Sequence, residues 1–287
     1  MSTTPEDSVQ QTPETCTHNC GTCGSDCAQR SPESLLAPPN PLSRIRKVYA
    51  VMSGKGGVGK SSVTALLAAA MSKMGYRVGV LDADITGPSI PQAFGVHSRA
   101  EGSDRGILPE YSAGGVAIMS LNLLLEEETA PVLWRGSLIA SAVKQFWTDV
   151  IWGDLDVLFI DMPPGTGDVP MTVYQSIPVD GILVVTSPQD LVSMIVQKAV
   201  NMAALMEKPV VGLIENYSYF QCPDCGGRHH IFGESQLEKV AAETGLPILA
   251  QMPIDPAIAQ AVDAGAIESL AENHLISVAE QLADQLA

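Results

Sequence analysis

The sequence predicts an α/β fold in which a mostly parallel β-sheet is flanked by helices on both faces. The main observation is that short apolar runs alternate with longer amphipathic stretches from Lys47 onward. Length is the second observation, because 287 residues with 46% hydrophobic content are enough to bury the core of a large domain. No internal repeat or linker follows residue 44, so we expect one folded domain over residues 45–287.

Each element of this fold is predicted from its own pattern of apolar residues. The predicted strands are short, apolar and partly β-branched, and they cover residues 48–53, 77–82, 116–121, 156–161, 181–186, 209–214 and 247–251. The predicted helices lie near residues 59–74, 137–150, 189–206, 234–244, 256–264 and 275–286. Because ligands bind at the carboxyl ends of parallel strands, polar residues directly after these strands are candidates for a functional site.

The first 44 residues differ from the rest of the chain in composition. They are rich in Ser, Thr, Pro, Gln and Asn, which predicts a flexible tail over residues 1–44. The tail holds four cysteines within twelve residues, namely Cys16, Cys20, Cys23 and Cys27. Four soft thiolates fit a tetrahedral zinc ion or an iron-sulfur cluster, and the spacing does not decide between these two. Four free thiols are the third alternative.

The charge of the chain argues against two classes of partner. A net charge of −16, from 32 acidic and 16 basic residues, disfavours nonspecific binding to nucleic acid or to an anionic membrane. No apolar run approaches the roughly 18 residues of a membrane span. The N-terminus lacks the basic and apolar regions of a signal peptide, and its acidic residues disfavour a transit peptide. We therefore expect a cytoplasmic protein without nucleic-acid or membrane partners.

A glycine-rich motif connects the first predicted strand to the first predicted helix. Gly54-Lys55-Gly56-Gly57-Val58-Gly59-Lys60-Ser61 reads G-x-x-x-x-G-K-S, the phosphate-binding P-loop. Its backbone N–H groups can surround an anion, Lys60 supplies charge to the β- and γ-phosphates, and Ser61 offers a hydroxyl to Mg²⁺. The residues expected to bind ATP are Gly54, Lys55, Gly56, Gly57, Val58, Gly59, Lys60, Ser61, Ser62 and, further along the chain, Asn216.

Acidic residues follow two of the other predicted strands. Asp82 and Asp84 end the second predicted strand, and Asp161 ends the fourth. We expect Ser61, Asp82 and Asp161 to hold Mg²⁺, and Asp84 to orient or deprotonate the attacking water. A simple helix cap or turn is the alternative for each acid alone. The glycine- and proline-rich loop after Asp161 is either a segment that responds to the γ-phosphate or an ordinary rigid turn.

The sixth predicted strand leads to an asparagine and a cysteine pair. Asn216 carries a donor and an acceptor, which suits the edge of a purine. Cys222 and Cys225 form a C-x-x-C pair that is compatible with a redox disulfide, half a zinc site or half a cluster site. His229 and His230 follow closely and are either further ligands or solvated loop residues. Two thiolates are half of what a 4Fe-4S cluster commonly takes, so we hypothesise that two chains related by a twofold axis share one cluster.

With these motifs, residues 44–270 resemble the Mrp-type (ApbC-like) iron-sulfur carrier P-loop ATPases of the MinD/ParA group. The marker is Lys55, a second lysine that ordinary P-loops do not require. The resemblance implies that Lys55 reaches the nucleotide of the partner subunit in a homodimer, and that Asn216 contacts the base. It also implies that the C-P-x-C at Cys222 and Cys225 holds a bridging, labile cluster. The segments from Asp82 and from Asp161 are similar to the first and second switches of the family.

The resemblance implies a slow ATPase that receives a 4Fe-4S cluster from an assembly scaffold and transfers it to apo-proteins. Lys55, Lys60 and Asp84 would be its catalytic residues. The alternative is a zinc-stabilised or redox-active ATPase of the same group without cluster transfer. A MinD-like membrane switch and a ParA-like DNA partition protein are disfavoured, because the last helix has no basic residue and the chain is acidic. The tail resembles the N-terminal cluster site of longer carriers, but Cys16 and Cys20 lie closer together than their first two cysteines usually do.

Overall fold

The structure is a computed structural model that describes residues 35–85, 87, 89–125, 136–188 and 192–286. The four tail cysteines therefore lie outside the described residues. Among the described residues, no helix combines the length and the apolar character needed to cross a membrane.

A twisted sheet forms the centre of the folded domain. The strands of the described residues are β1 (Arg44–Ser53), β2 (Val78–Asp82), β3 (Gly102–Ser103), β4 (Gly106–Ile107), β5 (Glu110–Tyr111), β6 (Ala117–Met119), β7 (Asp154–Asp161), β8 (Gly181–Thr186), β9 (Val210–Gln221), β10 (Arg228–His229) and β11 (Ile248–Pro253). Nine of them form one sheet in the order β10-β9-β8-β1-β7-β2-β6-β5, and β11 also pairs with β9. The central strands are parallel, whereas β5 and β10 pair antiparallel with their neighbours.

Helices cover both faces of this sheet. They are α1 (Lys60–Lys73), α2 (Ile90–Ala93), α3 (Gly136–Thr148), α4 (Asp168–Ser176), α5 (Val192–Leu205), α6 (Leu237–Thr244), α7 (Pro256–Asp263) and α8 (Ile276–Asp284). Alternate residues of β1 show the two faces: Val48, Ala50 and Met52 belong to the core under α3 to α6. Tyr49 and Val51 belong to the opposite core, under α1, α7 and α8. The predicted fold class is confirmed.

The predicted elements agree with the structure, but five short elements of two to four residues (α2, β3, β4, β5 and β10), one longer helix and the end of one strand were not predicted. All seven predicted strands and all six predicted helices are present, with ends that differ by a few residues. Helix α4 was not predicted, because its nine residues directly follow a glycine- and proline-rich loop that indicates a turn. The sixth strand was predicted to end at residue 214, whereas β9 continues to Gln221. The polar extension of β9 is stabilised by pairing with β11 and β10, which local apolar character cannot reveal.

The segment before β1 packs on α3 and α4. The Ala37 N–H donates to the carbonyl of Ser176 over 2.8 Å, and Trp147 Nε1 donates to the carbonyl of Ala37 over 2.8 Å. Asn40 is buried, with 4% exposure. Composition alone places these residues in the predicted tail. The division into a tail of residues 1–44 and a domain of residues 45–287 stays a prediction, because residues 1–34 lie outside the described part.

Candidate functional site

The P-loop lies between β1 and α1 in a conformation that requires glycine. Gly57 and Gly59 have φ values of 79° and 77°, in the left-handed region that favours glycine. At Gly59 there is also no room for a side chain, since a Cβ would lie 2.2 Å from Nδ2 of Asn216. The loop ends at Lys60, where α1 begins with no acidic residue in its first turn. The positive end of the helix dipole therefore faces the loop, which favours an anion there.

A cavity of about 290 Å³ lies beside this loop. It is lined by Ser53, Gly56, Gly57, Gly59, Lys60, Ser61, Ser62, Asp84, Ser89, Pro164 and Tyr217. The lining thus combines the loop, the acidic residue after β2 and the proline after β7. Lys55 lies in the same loop, where its carbonyl accepts a hydrogen bond from Ser53 Oγ over 2.9 Å.

Lys60 contacts Asp161, which ends β7, and Asp84, which follows β2. Its Nζ lies 2.7 Å from Oδ2 of Asp161 and 3.8 Å from Oδ2 of Asp84. Asp161 is fully buried and also accepts hydrogen bonds from Ser61 Oγ over 2.6 Å and from Thr64 Oγ1 over 2.7 Å. The charge of this carboxylate is therefore compensated on both oxygens. Thr64, one turn after Lys60, is a site residue that the motifs did not predict.

Asp82 lies next to Asp161, because β2 and β7 pair in a register that aligns the two residues. It is 1% exposed and accepts hydrogen bonds from the N–H of Asp84 over 3.1 Å and from Ser120 Oγ over 3.3 Å. Burial, and then the negative charge of Asp161, raise the pKa of Asp82 well above its ordinary value. Together with the Ser61 hydroxyl, these adjacent carboxylates are the hard oxygen donors that Mg²⁺ takes, so the residues present fit this ion.

A second, smaller cavity of about 60 Å³ lies on the other side of Ser62. Its lining comprises Ser62, Asn216, Tyr217, Met252, Pro253, Asp255, Ile258 and Ala259. Asn216 is 3% exposed, and its Nδ2 donates to the carbonyl of Val58 in the P-loop over 3.1 Å. The structure thus brings the predicted base-contacting residue against the phosphate loop.

The residues from β11 and α7 in this cavity were not predicted. Asp255 caps α7 by accepting the N–H of Ala257 over 2.9 Å, and it lies 3.0 Å from Nε2 of His274. These residues follow a predicted strand, so the rule that ligands bind at the carboxyl ends of strands could have indicated Pro253 and Asp255.

Cys222 and Cys225 lie in the turn of the hairpin that connects β9 and β10. Two hydrogen bonds close this turn: the Cys222 N–H donates to the carbonyl of Gly227, and the Gly226 N–H donates to the carbonyl of Cys222, each over 2.9 Å. Hydrogen bonds from the N–H groups of Cys225 and Asp224 lower the pKa of the Cys222 thiol. The turn therefore favours the thiolate, which is the form that binds metals.

The hairpin of one chain does not by itself form a metal site. Within the described ranges, no group of three or more His, Cys, Asp or Glu side chains is placed to hold a metal ion. His229 and His230 therefore do not complete a site with the two cysteines. His230 instead lies with Nδ1 3.3 Å from the carbonyl of Ser218 and Nε2 3.9 Å from Glu234. The hairpin thus presents two thiols.

The sequence matches a known protein family over most of its length. Residues 44–287 match the family described as ParA, NUBPL iron-transfer P-loop NTPase. An iron-sulfur cluster carrier protein of Methanocaldococcus jannaschii is 43% identical over 257 residues, which are 87% of this chain and 89% of that protein. The iron-sulfur cluster carrier protein of Clostridium perfringens is 40% identical over 277 residues, which are 91% of this chain and 97% of that protein.

Solved structures show the same architecture. A nucleotide-binding protein from Archaeoglobus fulgidus, in complex with ADP, superimposes with a TM-score of 0.73 at 41% identity. The match covers 80% of this chain and 91% of that one. The cell division ATPase MinD of Pyrococcus furiosus superimposes with a TM-score of 0.60 at 19% identity, over 84% of this chain and 100% of that one. The second comparison supports the fold alone.

Proposed function

Because this chain belongs to the NUBPL iron-transfer P-loop NTPase family, we propose that it is an ATP-hydrolysing carrier of iron-sulfur clusters. The observation that carries the proposal is that one strand, β9, serves both sites. Asn216 of β9 contacts the P-loop, and the same strand leads to the exposed hairpin with Cys222 and Cys225. A nucleotide site and a pair of soft ligands on one element suit a carrier that binds and releases its cargo.

ATP hydrolysis is assigned to the larger cavity. Lys60 and the N–H groups of the P-loop would offset the charge that develops on the phosphates, and Lys55 of the partner subunit would add to this. Asp84, which lines the cavity, would orient or deprotonate the attacking water. Ser61, Asp82 and Asp161 would hold Mg²⁺, which supplies further positive charge to the phosphates. The smaller cavity beside Asn216 would take the base.

The cluster is the cargo of this protein. Each chain supplies two thiolates, so two chains related by a twofold axis supply the four that a 4Fe-4S cluster takes. The exposure of Cys225 suits a cluster that is passed to another protein. We propose that an assembly scaffold in the cytoplasm donates the cluster, and that apo iron-sulfur proteins accept it. A zinc-stabilised or redox-active ATPase without cluster transfer is the second candidate, since two thiols also suit those roles.

Anaerobic reconstitution with iron and sulfide tests the proposal. The protein in which Cys16, Cys20, Cys23 and Cys27 are replaced by alanine should bind about four irons per two chains and show broad visible absorption. Cys222→Ala and Cys225→Ala in that background should lose this iron. Cluster transfer to an apo-acceptor is then measured with and without ATP. Zinc binding without visible absorption, or iron content that survives both cysteine substitutions, would contradict the proposal.

A further inference from the structure

Tyr217 contacts both the nucleotide site and the base of the cysteine hairpin. Its side chain lines both cavities beside the P-loop. Its hydroxyl lies only 3.0 Å from the position that a Cβ on Gly59 would take. The ring also packs edge-on against Phe232, which follows β10, with 6.3 Å between the ring centroids and 61° between the planes. One aromatic side chain therefore connects the phosphate loop to the segment that closes the hairpin.

The backbone of Tyr217 has an unusual conformation. Its φ is 59°, and only one other non-glycine residue among those the structure describes, Glu207, has a positive φ. This conformation is energetically unfavourable for a bulky residue, so surrounding contacts must hold Tyr217 in it. Asn216 provides them: its Oδ1 accepts the N–H of Tyr217 over 2.9 Å while its Nδ2 holds the carbonyl of Val58. The strained residue is thus tied to the P-loop.

The residues on either side of Tyr217 are tied to the segment that follows the hairpin. Glu215 is fully buried and accepts hydrogen bonds from Ser218 Oγ over 2.5 Å and from Ser235 Oγ over 2.9 Å. The carbonyl of Ser218 lies 3.3 Å from Nδ1 of His230. Because these hydrogen bonds join β9 to the returning chain, a shift of β9 at Tyr217 would move the base of the hairpin as well.

We propose that Tyr217 is a positioning residue that couples nucleotide occupancy to the geometry of the Cys222–Cys225 turn. A nucleotide in the cavity contacts and displaces the hydroxyl end of Tyr217. Phe232 transmits this displacement to the hairpin. The coupling is reciprocal, so a metal or cluster on the cysteines changes nucleotide affinity by the same factor. The inference deepens the proposed function and rests on it for the ligands of the two sites.

The test measures how ADP changes the reactivity of the two hairpin thiols in the full-length, cluster-free protein. N-ethylmaleimide is the probe, and mass spectrometry of peptides separates Cys222 and Cys225 from the tail cysteines. In the wild-type protein, saturating ADP with Mg²⁺ should change the alkylation rate of this pair about fivefold or more. Phe232→Ala should abolish the change without altering ADP affinity, because Phe232 lines neither cavity. Tyr217→Ala, at ADP concentrations that saturate that variant, should also abolish it.

Tyr219→Ala is the matched control. Tyr219 lies on the same hairpin and packs against the guanidinium of Arg228, 4.4 Å from the ring centroid, and it does not line either cavity. This variant should respond to ADP as the wild type does. An alkylation rate that bound ADP leaves unchanged, or a Phe232→Ala protein with the wild-type response, would overturn the inference. The assay needs neither a cluster nor hydrolysis, so its failure is distinct from failure of cluster transfer.

Discussion

At the scale of single residues, the buried aspartates Asp82 and Asp161 are in different situations. Asp161 has partners on both oxygens, among them the ammonium of Lys60 at 2.7 Å. Asp82 has one backbone N–H at 3.1 Å and more distant donors from Ile90 and Ser120. A buried carboxylate without a close cation favours its protonated form. The free-energy cost of placing two acids at one end of the sheet therefore arises mainly at Asp82.

Asp82→Asn should make the stability of the nucleotide-free protein less dependent on pH. The pKa of Asp82 is raised in the folded state. The contribution of Asp82 to folding stability is therefore fully present below its unfolded pKa of about 3.9 and is lost as pH rises through its folded pKa. Asparagine does not titrate, so the stability of the variant relative to wild type should increase over this range. Urea denaturation at a series of pH values measures the difference.

Asp156→Asn is a control with the opposite sign. Hydrogen bonds from Arg77 lower the pKa of Asp156, so its contribution is present above the unfolded pKa and is lost as pH falls through the folded pKa. The stability of the wild type relative to Asp156→Asn should therefore decrease as the pH is lowered. Parallel pH profiles for wild type and Asp82→Asn would contradict the argument for Asp82.

At the scale of elements, the P-loop and β9 depend on each other. The loop turns through Gly57 and Gly59, and the end of the β8–β9 pairing, where Thr186 lies opposite Glu215, brings Asn216 against it. The loop can approach β9 this closely only because Gly59 has no side chain. The P-loop and the Asn216 end of β9 are therefore parts of one packed unit.

Gly59→Ala should destabilise this unit more than Gly57→Ala does. Both residues have a left-handed φ, for which an added Cβ costs about 1–2 kcal/mol. At Gly57 a Cβ would meet nothing within 4 Å, whereas at Gly59 it would lie 2.2 Å from Asn216 Nδ2. The additional clash should also displace Asn216. Chemical denaturation gives the free energy of unfolding of each variant, and calorimetric titration with ADP gives its affinity.

The comparison of these two glycine variants contains its own control. Asn216→Ala in the Gly59→Ala background removes the clashing amide, so it should recover part of the lost stability while the backbone cost remains. Equal destabilisation by the two glycine substitutions would show that the close approach of β9 contributes little.

At the scale of the whole molecule, the residues of the candidate sites lie at one end of the sheet. The P-loop follows β1, Asp82 ends β2 and Asp161 ends β7, and these strands are parallel neighbours. The cysteine hairpin extends from the same end through the long strand β9. The two faces of the sheet are occupied by separate hydrophobic cores. This end of the sheet is therefore left for the proposed nucleotide and cluster sites.

Lys60→Ala should abolish ATP hydrolysis and leave reconstituted iron content unchanged. The side chain of Lys60 contacts Ser61, Asp84 and Asp161, none of which lies in the hairpin. Loss of the ammonium leaves Asp161 buried with less compensation, so a loss of stability on the order of 3–5 kcal/mol is expected as well. Phosphate release and iron analysis, made below the melting temperature of the variant, measure the two activities.

Lys47→Ala is the matched control for this experiment. Lys47 is on β1 and pairs with Asp180 at the surface over 3.2 Å, so its removal should leave both hydrolysis and iron content as in wild type. Loss of iron together with hydrolysis in Lys60→Ala alone would show that the two sites cannot be separated.

The sequence by itself determined the features that depend on local pattern. The alternation of strands and helices predicted the sheet, and the G-x-x-x-x-G-K-S motif predicted where the phosphate loop lies. Asp82 and Asp161 were identified because each ends an apolar run, and parallel strands bring such ends together. The C-x-x-C pair was visible as a motif. Periodicity and short motifs are sufficient for these features because each is encoded within a few consecutive residues.

Only the tertiary structure decided which distant residues complete the sites. Thr64 and Asp161 are 97 positions apart and meet because α1 follows a strand that pairs with β7. The proposed role of Tyr217 rests on its closeness to Gly59 and its contact with Phe232, and neither leaves a pattern in the sequence. Hydrogen bonds and close approaches of this kind depend on how strands align and helices pack. They arise from the assembled sheet and not from any single segment.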